Sequence, residues 1–298
     1  TEGTPAFIHA GPFANIAHGN SSIIADRLAL SIHDIVVTEA GFGADLGAEK
    51  ALHIKTNASG LAPDCIVVNV TVRSMKMHGL GMVGLPNGKD ALDEENVEMV
   101  RHGASANLSR HIENMSRFGP DVIVSINRFP TDSDGEISAI MEIAKDAGAA
   151  DVALYEGHSK GGEGAVELAN AVSKAVQRHM AAGRPFNPLF EGNAPVIEKI
   201  ENIAKSIFGA SGISIKPRAK KQLDKINEWG YGNLPVCMAK TQYSFSHDPA
   251  QYGAPTDFTL PVREFRLNAG AGFIVAVCGD MMTMPGLPKI PAAEGMDM

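Results

Sequence analysis

The chain is 298 residues long, 44% hydrophobic and 20% charged, an ordinary globular composition with enough length to bury a core in one or two domains. Lysine and arginine number 26 against 34 acids, a net charge of −8, which argues against a general nucleic-acid binder but is compatible with a local basic funnel around an anionic substrate. No run reaches the roughly 20 apolar residues of a membrane span, and the first residues lack the basic and apolar parts of a secretory signal.

The three cysteines, Cys65, Cys237 and Cys278, have no metal-ligand spacing and read as reduced, mostly buried thiols of a cytoplasmic protein. Thr1 reads as a cut inside a longer polypeptide or as the start of a processed chain. Residues 6–9 read as a strand. Residues 21–31 read as a helix with Ile23, Ile24, Leu28 and Leu30 toward the core. Residues 35–37, 65–72 and 122–126 are short Val/Ile-rich runs, the pattern of buried parallel strands. Helical patterns lie between them, notably 104–117, where Leu108, Ile112 and Met115 share one face. Strands alternating with helices predict an α/β fold with a mostly parallel sheet flanked by helices. Ligands in such sheets sit at the carboxyl ends of the strands, where residues 41–47, 73–79 and 127–132 fall.

Beyond Gly164 a long helix is expected to about Met180, stopping at Gly183. Residues 194–208 and 216–229 also read as helices, with 213–217 a short connection. Trp229, the only tryptophan, reads as a packing residue. From Leu234 glycine, proline and β-prone residues dominate, and 269–278 reads as a Gly-opened buried strand. The expected units are residues 1–110, a second α/β unit over 111–233, and a smaller Gly/Pro-rich, β-containing region over 234–298.

Several segments carry candidate chemistry. Gly43, Asp45 and Gly47 sit in a strand-to-helix turn, either a tight turn alone or a cradle presenting amides to an anion. Asp45 and Glu39 are of the type that ligates Mg²⁺ in phosphoryl-transfer sites. Yet the chain has no G-x-x-x-x-G-K-[ST] loop for a nucleotide's phosphates. Arg73, Lys76 and His78 form either a surface charge cluster or a set of anion-neutralising groups, with His78 also readable as a satisfied turn histidine. Asn127, Phe129 and Asp132 lie in a segment with every turn marker, which is also a place to read a purine edge and to offer a ring for stacking. Lys160, Gly161 and Gly162 make an anion nest or a flexible helix start. Lys240, Gln242 and Ser244 alternate as on one face of a strand. Met284, Pro285 and Gly286 belong to a rigid apolar loop. The ten histidines are scattered, with no spacing that predicts a metal site.

Taken in order, residues 4–19, 38–50, 73–79, 127–132, 160–164, 234–244 and 283–288 resemble the successive signatures of the formate–tetrahydrofolate ligase family. The resemblance covers the C-terminal half or so of such an enzyme and implies a P-loop-NTPase-like sheet. It implies ATP with Mg²⁺, formate and tetrahydrofolate as ligands, a monovalent-cation preference, a homotetramer, and a formyl phosphate intermediate. The family's phosphate loop would lie in an N-terminal half that the chain needs for catalysis. By the same resemblance Gly43, Asp45 and Gly47, with Arg73 and Lys76, border the phosphates. Asn127 and Asp132 lie near the adenine, and Phe129 is one side of a clamp on the pterin. The other side is commonly tryptophan in the family; here it is His158. That departure leaves a non-catalytic folate- or nucleotide-binding module, or an assembly subunit, as the alternative reading.

Overall fold

The computed structural model describes residues 3–7, 11, 13–83, 92–281, 290 and 294. Its frame is a parallel sheet of β1 (Cys65–Val70), β2 (Asp121–Asn127) and β3 (Asp151–Tyr155), paired in that order. Val68 lies opposite Val124, and Val124 opposite Val152. Alternation along β2 divides the core. Val122, Val124 and Ile126 join the main apolar cluster, while Ile123 packs in a separate cluster with Ala153, Ala171 and Ala175. Both faces are therefore covered at β2, as a parallel sheet requires, whereas Val67 and Asn69 of β1 are exposed.

The helices α1 (Ile23–Ile32), α2 (Gly47–Lys50) and α3 (Thr56–Ser59) precede the sheet. A π-helical turn, Ala51–Lys55, joins α2 to α3. Between β1 and β2 run α4 (Val72–Val83), α5 (Val97–Gly103) and α6 (Ser109–Ser116), the last two made continuous by a π-turn over Ala104–Leu108. As the spacing predicts, Leu108, Ile112 and Met115 are buried together. Then comes α7 (Asp134–Asp146), which starts on a reciprocal capping box: Glu136 N–H donates to Ser133 Oγ, and Ser133 N–H to Glu136 Oε2. The short α8 (Gly157–Lys160) and a 3₁₀ turn, Gly161–Ala165, lead into α9 (Val166–Ala182). Gly183, with φ +58°, ends α9 in the left-handed conformation that favours glycine.

α10 (Val196–Ile203), extended by a π-turn over Ala204–Phe208, and α11 (Pro217–Glu228) flank β4 (Gly212–Ile215). The remaining strands are β5 (Val236–Ala239), β6 (Thr259–Val262), β7 (Glu264–Asn268) and β8 (Phe273–Val277). β4 pairs β6 in parallel; β8 pairs β5 in parallel and β7 antiparallel. Residue 110 lies inside α6, and the main apolar cluster gathers residues from Leu52 to Cys278. No helix among the described residues is long and apolar enough to cross a membrane.

The expectations fail at five places. Residues 5–7 are irregular rather than strand, and Ile8 and His9 lie outside the described residues. Residues 35–37 form no strand; Ile35 and Val37 are exposed, Val37 at 92%, because no neighbouring strand pairs them among the described residues. The helix α1 forms, capped by Ser22, but its apolar residues Ile24, Leu28, Leu30 and Ile32 face outward. Its buried residues are Asp26 and Ala29: Asp26 Oδ2 pairs with Lys55 Nζ at 2.5 Å, while the exposed Arg27 reaches the Ser59 carbonyl at 3.0 Å. Residues 212–215 are a strand rather than a connection, held by β6. Trp229 caps α11 and is exposed rather than packed.

Candidate functional site

A cavity of about 750 Å³ opens beside β1. The loop after residue 40 lines it with Phe42, Gly43, Ala44 and Asp45; α4 adds Ser74 and His78, the π-turn Ala104–Leu108 adds Asn107, and α6 adds His111. Sequence dictates this loop closely. A Cβ on Gly47 would stand 1.8 Å from the Gly41 carbonyl oxygen, and one on Gly43 would stand 2.6 Å from Asp45 Oδ1. Packing thus requires glycine at Gly47, where the obstacle is backbone; at Gly43 the obstacle is the Asp45 carboxylate. The loop is tied to the segment before α1 by Gly41 N–H to the Gly19 carbonyl (2.9 Å) and by Asn20 Nδ2 to the Gly47 carbonyl (3.0 Å). Phe42 is held at φ +62°, a strained conformation for a residue with a side chain, and its ring lies 5.9 Å from that of Phe13.

At the base of the cavity Asp45 Oδ2 meets Lys240 Nζ at 2.6 Å. Both side chains are almost wholly buried. Lys240 also donates to the Thr241 carbonyl at 3.2 Å and to the Ser244 carbonyl, and its ammonium stands 4.8 Å from the centre of the Phe208 ring. Burial works against the Asp45 charge, but Lys240 and the other nearby cations outweigh it and hold the carboxyl below its ordinary range. Burial lowers Lys240, with Asp45 opposing. His111 is partly buried beside this pair, its ring 4.6 Å from that of Phe245, and burial lowers its pKa. His78 accepts a hydrogen bond on Nδ1 from the Gly253 N–H at 3.1 Å. Burial, reinforced by His111, brings its pKa down to about 4. Both imidazoles are therefore neutral near pH 7, and the carboxylate is ionised. Such a set orients ligands by hydrogen bonding more than it transfers protons.

Lys76 and Arg73 do not face this cavity. Lys76 is buried, with Nζ 2.7 Å from Glu136 Oε1 and donating to the carbonyls of Glu94 (2.8 Å) and Leu92 (3.3 Å). Its positive charge is engaged by Glu136 of α7 and by the carbonyls of the 92–94 segment. Arg73 is half-exposed and pairs with Asp93 at the surface, so it too is turned from the cavity. His78 is a satisfied histidine, though on a helix rather than in a turn.

A second group lies at the carboxyl ends of β2 and β3. Asn127 is the last residue of β2, opposite Tyr155. The Arg128 N–H donates to the Tyr155 carbonyl at 3.0 Å, which ties the loop after β2 to the end of β3. Phe129, half-exposed, leads from the first; His158, exposed on α8, follows the second. Asp132 closes the turn by accepting the Phe129 N–H at 2.8 Å, so the turn reading of this motif holds. Burial raises the Asp132 pKa, partly offset by that hydrogen bond. Lys160 Nζ pairs with Glu156 Oε2 at 2.6 Å, and Gly161, at φ +59°, makes the kink into the 3₁₀ turn that holds Gly162. None of these residues is among those lining the 750 Å³ cavity. Met284, Pro285 and Gly286 lie outside the described residues.

Sequence reasoning missed Phe42, Asn107 and His111, and it put Lys240, Gln242 and Ser244 on a strand. In the structure β5 stops at Ala239 and the three follow it in a turn. Of the three free thiols Cys237 and Cys278 are buried and Cys65 is partly so. Burial pushes Cys65 and Cys237 up to about 11 and Cys278 to about 12, so they stay protonated. As for a metal, no cluster of three or more His, Cys, Asp or Glu suited to holding one exists among the described residues. Asp45, the acid expected to ligate Mg²⁺, is engaged by Lys240.

A model of the formate–tetrahydrofolate ligase family matches residues 1–298. The chain is similar to the formate–tetrahydrofolate ligase of Ruegeria sp., 52% identical over 295 residues, which cover 99% of this chain and 51% of the relative. It is also similar to those of Dinoroseobacter shibae (51% over 293 residues, 98% and 51% of the two chains) and Symbiobacterium thermophilum (49% over 298 residues, 100% and 51%). The chain spans about half the length of the curated relatives it matches.

Proposed function

The chain belongs to the formate–tetrahydrofolate ligase family, and we propose that it supplies the folate wall and one side of the nucleotide site of an enzyme joining formate to tetrahydrofolate with ATP. In this reading a formate oxygen attacks the γ-phosphorus of ATP and ADP departs, leaving formyl phosphate. The N10 amine of the folate then attacks the formyl carbon. Phosphate leaves with the former formate oxygen, and the amine loses its proton to give 10-formyltetrahydrofolate. Such chemistry depends mainly on positioning and on neutralising charge.

The Gly43–Gly47 loop would border the phosphates, with Asp45 fixed by Lys240 rather than free to ligate. Mg²⁺ accompanying ATP finds no fitting donor set among the described residues, so no step is assigned to it. Asn127 and the turn closed by Asp132 would lie near the adenine. Phe129 and His158 would bracket the pterin, with Lys160, Gly161, Gly162 and the 284–286 loop beside it. The remaining half of the enzyme would bring the phosphate-gripping lysine. The homotetramer and the monovalent cation enter the proposal on family resemblance alone.

The observation that carries the reading is the pairing of the Phe129 and His158 loops at adjoining strand ends, joined by the Arg128–Tyr155 hydrogen bond. An imidazole stacks with less area than an indole. In the assembled enzyme His158→Trp is expected to tighten tetrahydrofolate binding, and Phe129→Ala to weaken it, each by about tenfold. Binding indifferent to both changes would remove the clamp from the proposal.

A further inference from the structure

We infer that His111 contacts the substrate: its Nε2–H donates a hydrogen bond to the carbonyl oxygen of the acyl group carried at the Gly43 loop. The inference rests on the ligase reading for the identity of that group. The donor itself rests on geometry.

His111 reaches the cavity from α6, and Gly43 lines the same space. A Cβ on Gly43 would stand 3.8 Å from His111 Cε1, so the imidazole faces the loop at a position that glycine leaves bare. Phe245, with its ring centre 4.6 Å away, steadies the imidazole. The two ring nitrogens differ. Nδ1 is enclosed and has no hydrogen-bond partner among the described residues. Nε2 is not enclosed, and no hydrogen bond among the described residues fills it. An enclosed N–H without an acceptor costs more than an enclosed lone pair, so the neutral ring keeps its hydrogen on Nε2. The cavity therefore meets an N–H. His78 takes the same tautomer, because the Gly253 N–H fills its Nδ1 at 3.1 Å. Two uncharged donors thus line the cavity with the Asp45 carboxylate.

Uncharged donors select the atom they serve. A phosphate oxygen is charged throughout and draws cations; beside a carboxylate it gains little from a neutral imidazole. A carbonyl oxygen that takes up charge only during reaction fits better, since a fixed donor stabilises it as the charge appears. In an acyl phosphate that oxygen lies next to the phosphate, and so next to the loop proposed to border it. When N10 attacks the formyl carbon, the carbonyl electron pair moves onto this oxygen, where the His111 N–H holds it. As the pair returns, the bond from carbon to the phosphate oxygen breaks, phosphate leaves with its electrons, and the amine proton passes to water. In the preceding step formate loses charge as its other oxygen binds phosphorus. The donor therefore aids transfer more than activation.

The test begins with magnetic resonance of isotope-labelled imidazole nitrogens in the chain alone, near neutral pH. His111, assigned by the signals lost in His111→Phe, is expected to show a protonated Nε2 and a bare Nδ1. A protonated Nδ1 or a charged ring would overturn the donor whatever reaction is run. In the assembled enzyme His111→Phe keeps a ring against Phe245 but removes the N–H. It is expected to lower kcat for formyl transfer by about 100-fold, with KM values moved by less than about threefold. His111→Gln, whose amide offers an N–H in place of Nε2, should recover at least about tenfold of that loss. Formate-dependent isotope scrambling within ATP, run without folate, should continue in both variants. A kcat in His111→Phe within about threefold of the parent enzyme, or equal losses in the two variants, would overturn the assignment. A parent enzyme that makes no 10-formyltetrahydrofolate rejects the ligase reading and the acyl identity of the ligand, whereas the tautomer is read on the chain alone.

Discussion

Lys240 and Asp45, 195 residues apart in sequence, meet at 2.6 Å in the interior and tie the turn after β5 to the glycine loop at the cavity. Removing one partner of such a pair leaves an uncompensated buried charge, which typically costs about 3–5 kcal/mol. Lys240→Met is expected to destabilise by that order, and Lys240→Met with Asp45→Asn by clearly less. Urea titrations of the two singles and the double measure the coupling. With Lys240 present, the folded Asp45 pKa lies below its ordinary value of 3.8. Its contribution is therefore complete above that value and is lost as pH falls through the lower folded pKa.

His78 sets a different acid limit. It is neutral in the folded chain down to about 4, whereas the unfolded side chain takes a proton near 6.5. Between those values the unfolded state binds more protons, so stability rises with pH and declines on acidification, by about 2 kcal/mol at about pH 5 for this group. His78→Gln should flatten that part of the stability–pH curve. An unchanged slope between about pH 6.5 and 5 would contradict the assignment.

The glycines of the cavity loop make graded predictions. Gly47→Ala forces a Cβ to 1.8 Å from a backbone oxygen and should cost more than about 2 kcal/mol. Gly43→Ala presses on the Asp45 carboxylate and should cost less, because the obstacle is a side-chain oxygen rather than backbone. Gly270, where the methyl group of an alanine would meet nothing within 4 Å, is the control, with an expected change within about 0.5 kcal/mol. Thermal melts of the three variants give the order.

Lys76→Met tests whether this lysine is structural. The variant strands Glu136 in the interior and frees the 92–94 segment, so loss of about 3 kcal/mol is expected. Arg73→Ala, at the surface, should change stability by less than about 1 kcal/mol. Phosphate or nucleotide affinity that fell with Lys76 while stability held would return it to the binding site.

Much of this was legible in the sequence where the signal is local. The Val/Ile runs of β1 and β2, the shared face of Leu108, Ile112 and Met115, and the Gly183 stop all follow from periodicity and backbone preference. Lys76 and Lys240 were visible as charges, but burial decides whether a lysine grips a ligand or a carboxylate, and burial is set by partners far along the chain. The outward face of α1 was illegible for the opposite reason. Its apolar spacing is that of a core helix, and no segment among the described residues covers it.

The central claim is tested most directly by supplying ATP, tetrahydrofolate and oxygen-labelled formate to this chain co-expressed with the unmatched half of a relative. The account predicts 10-formyltetrahydrofolate and labelled phosphate in equal amounts from the complex, and neither from the chain alone. A soluble complex that makes neither product would contradict it.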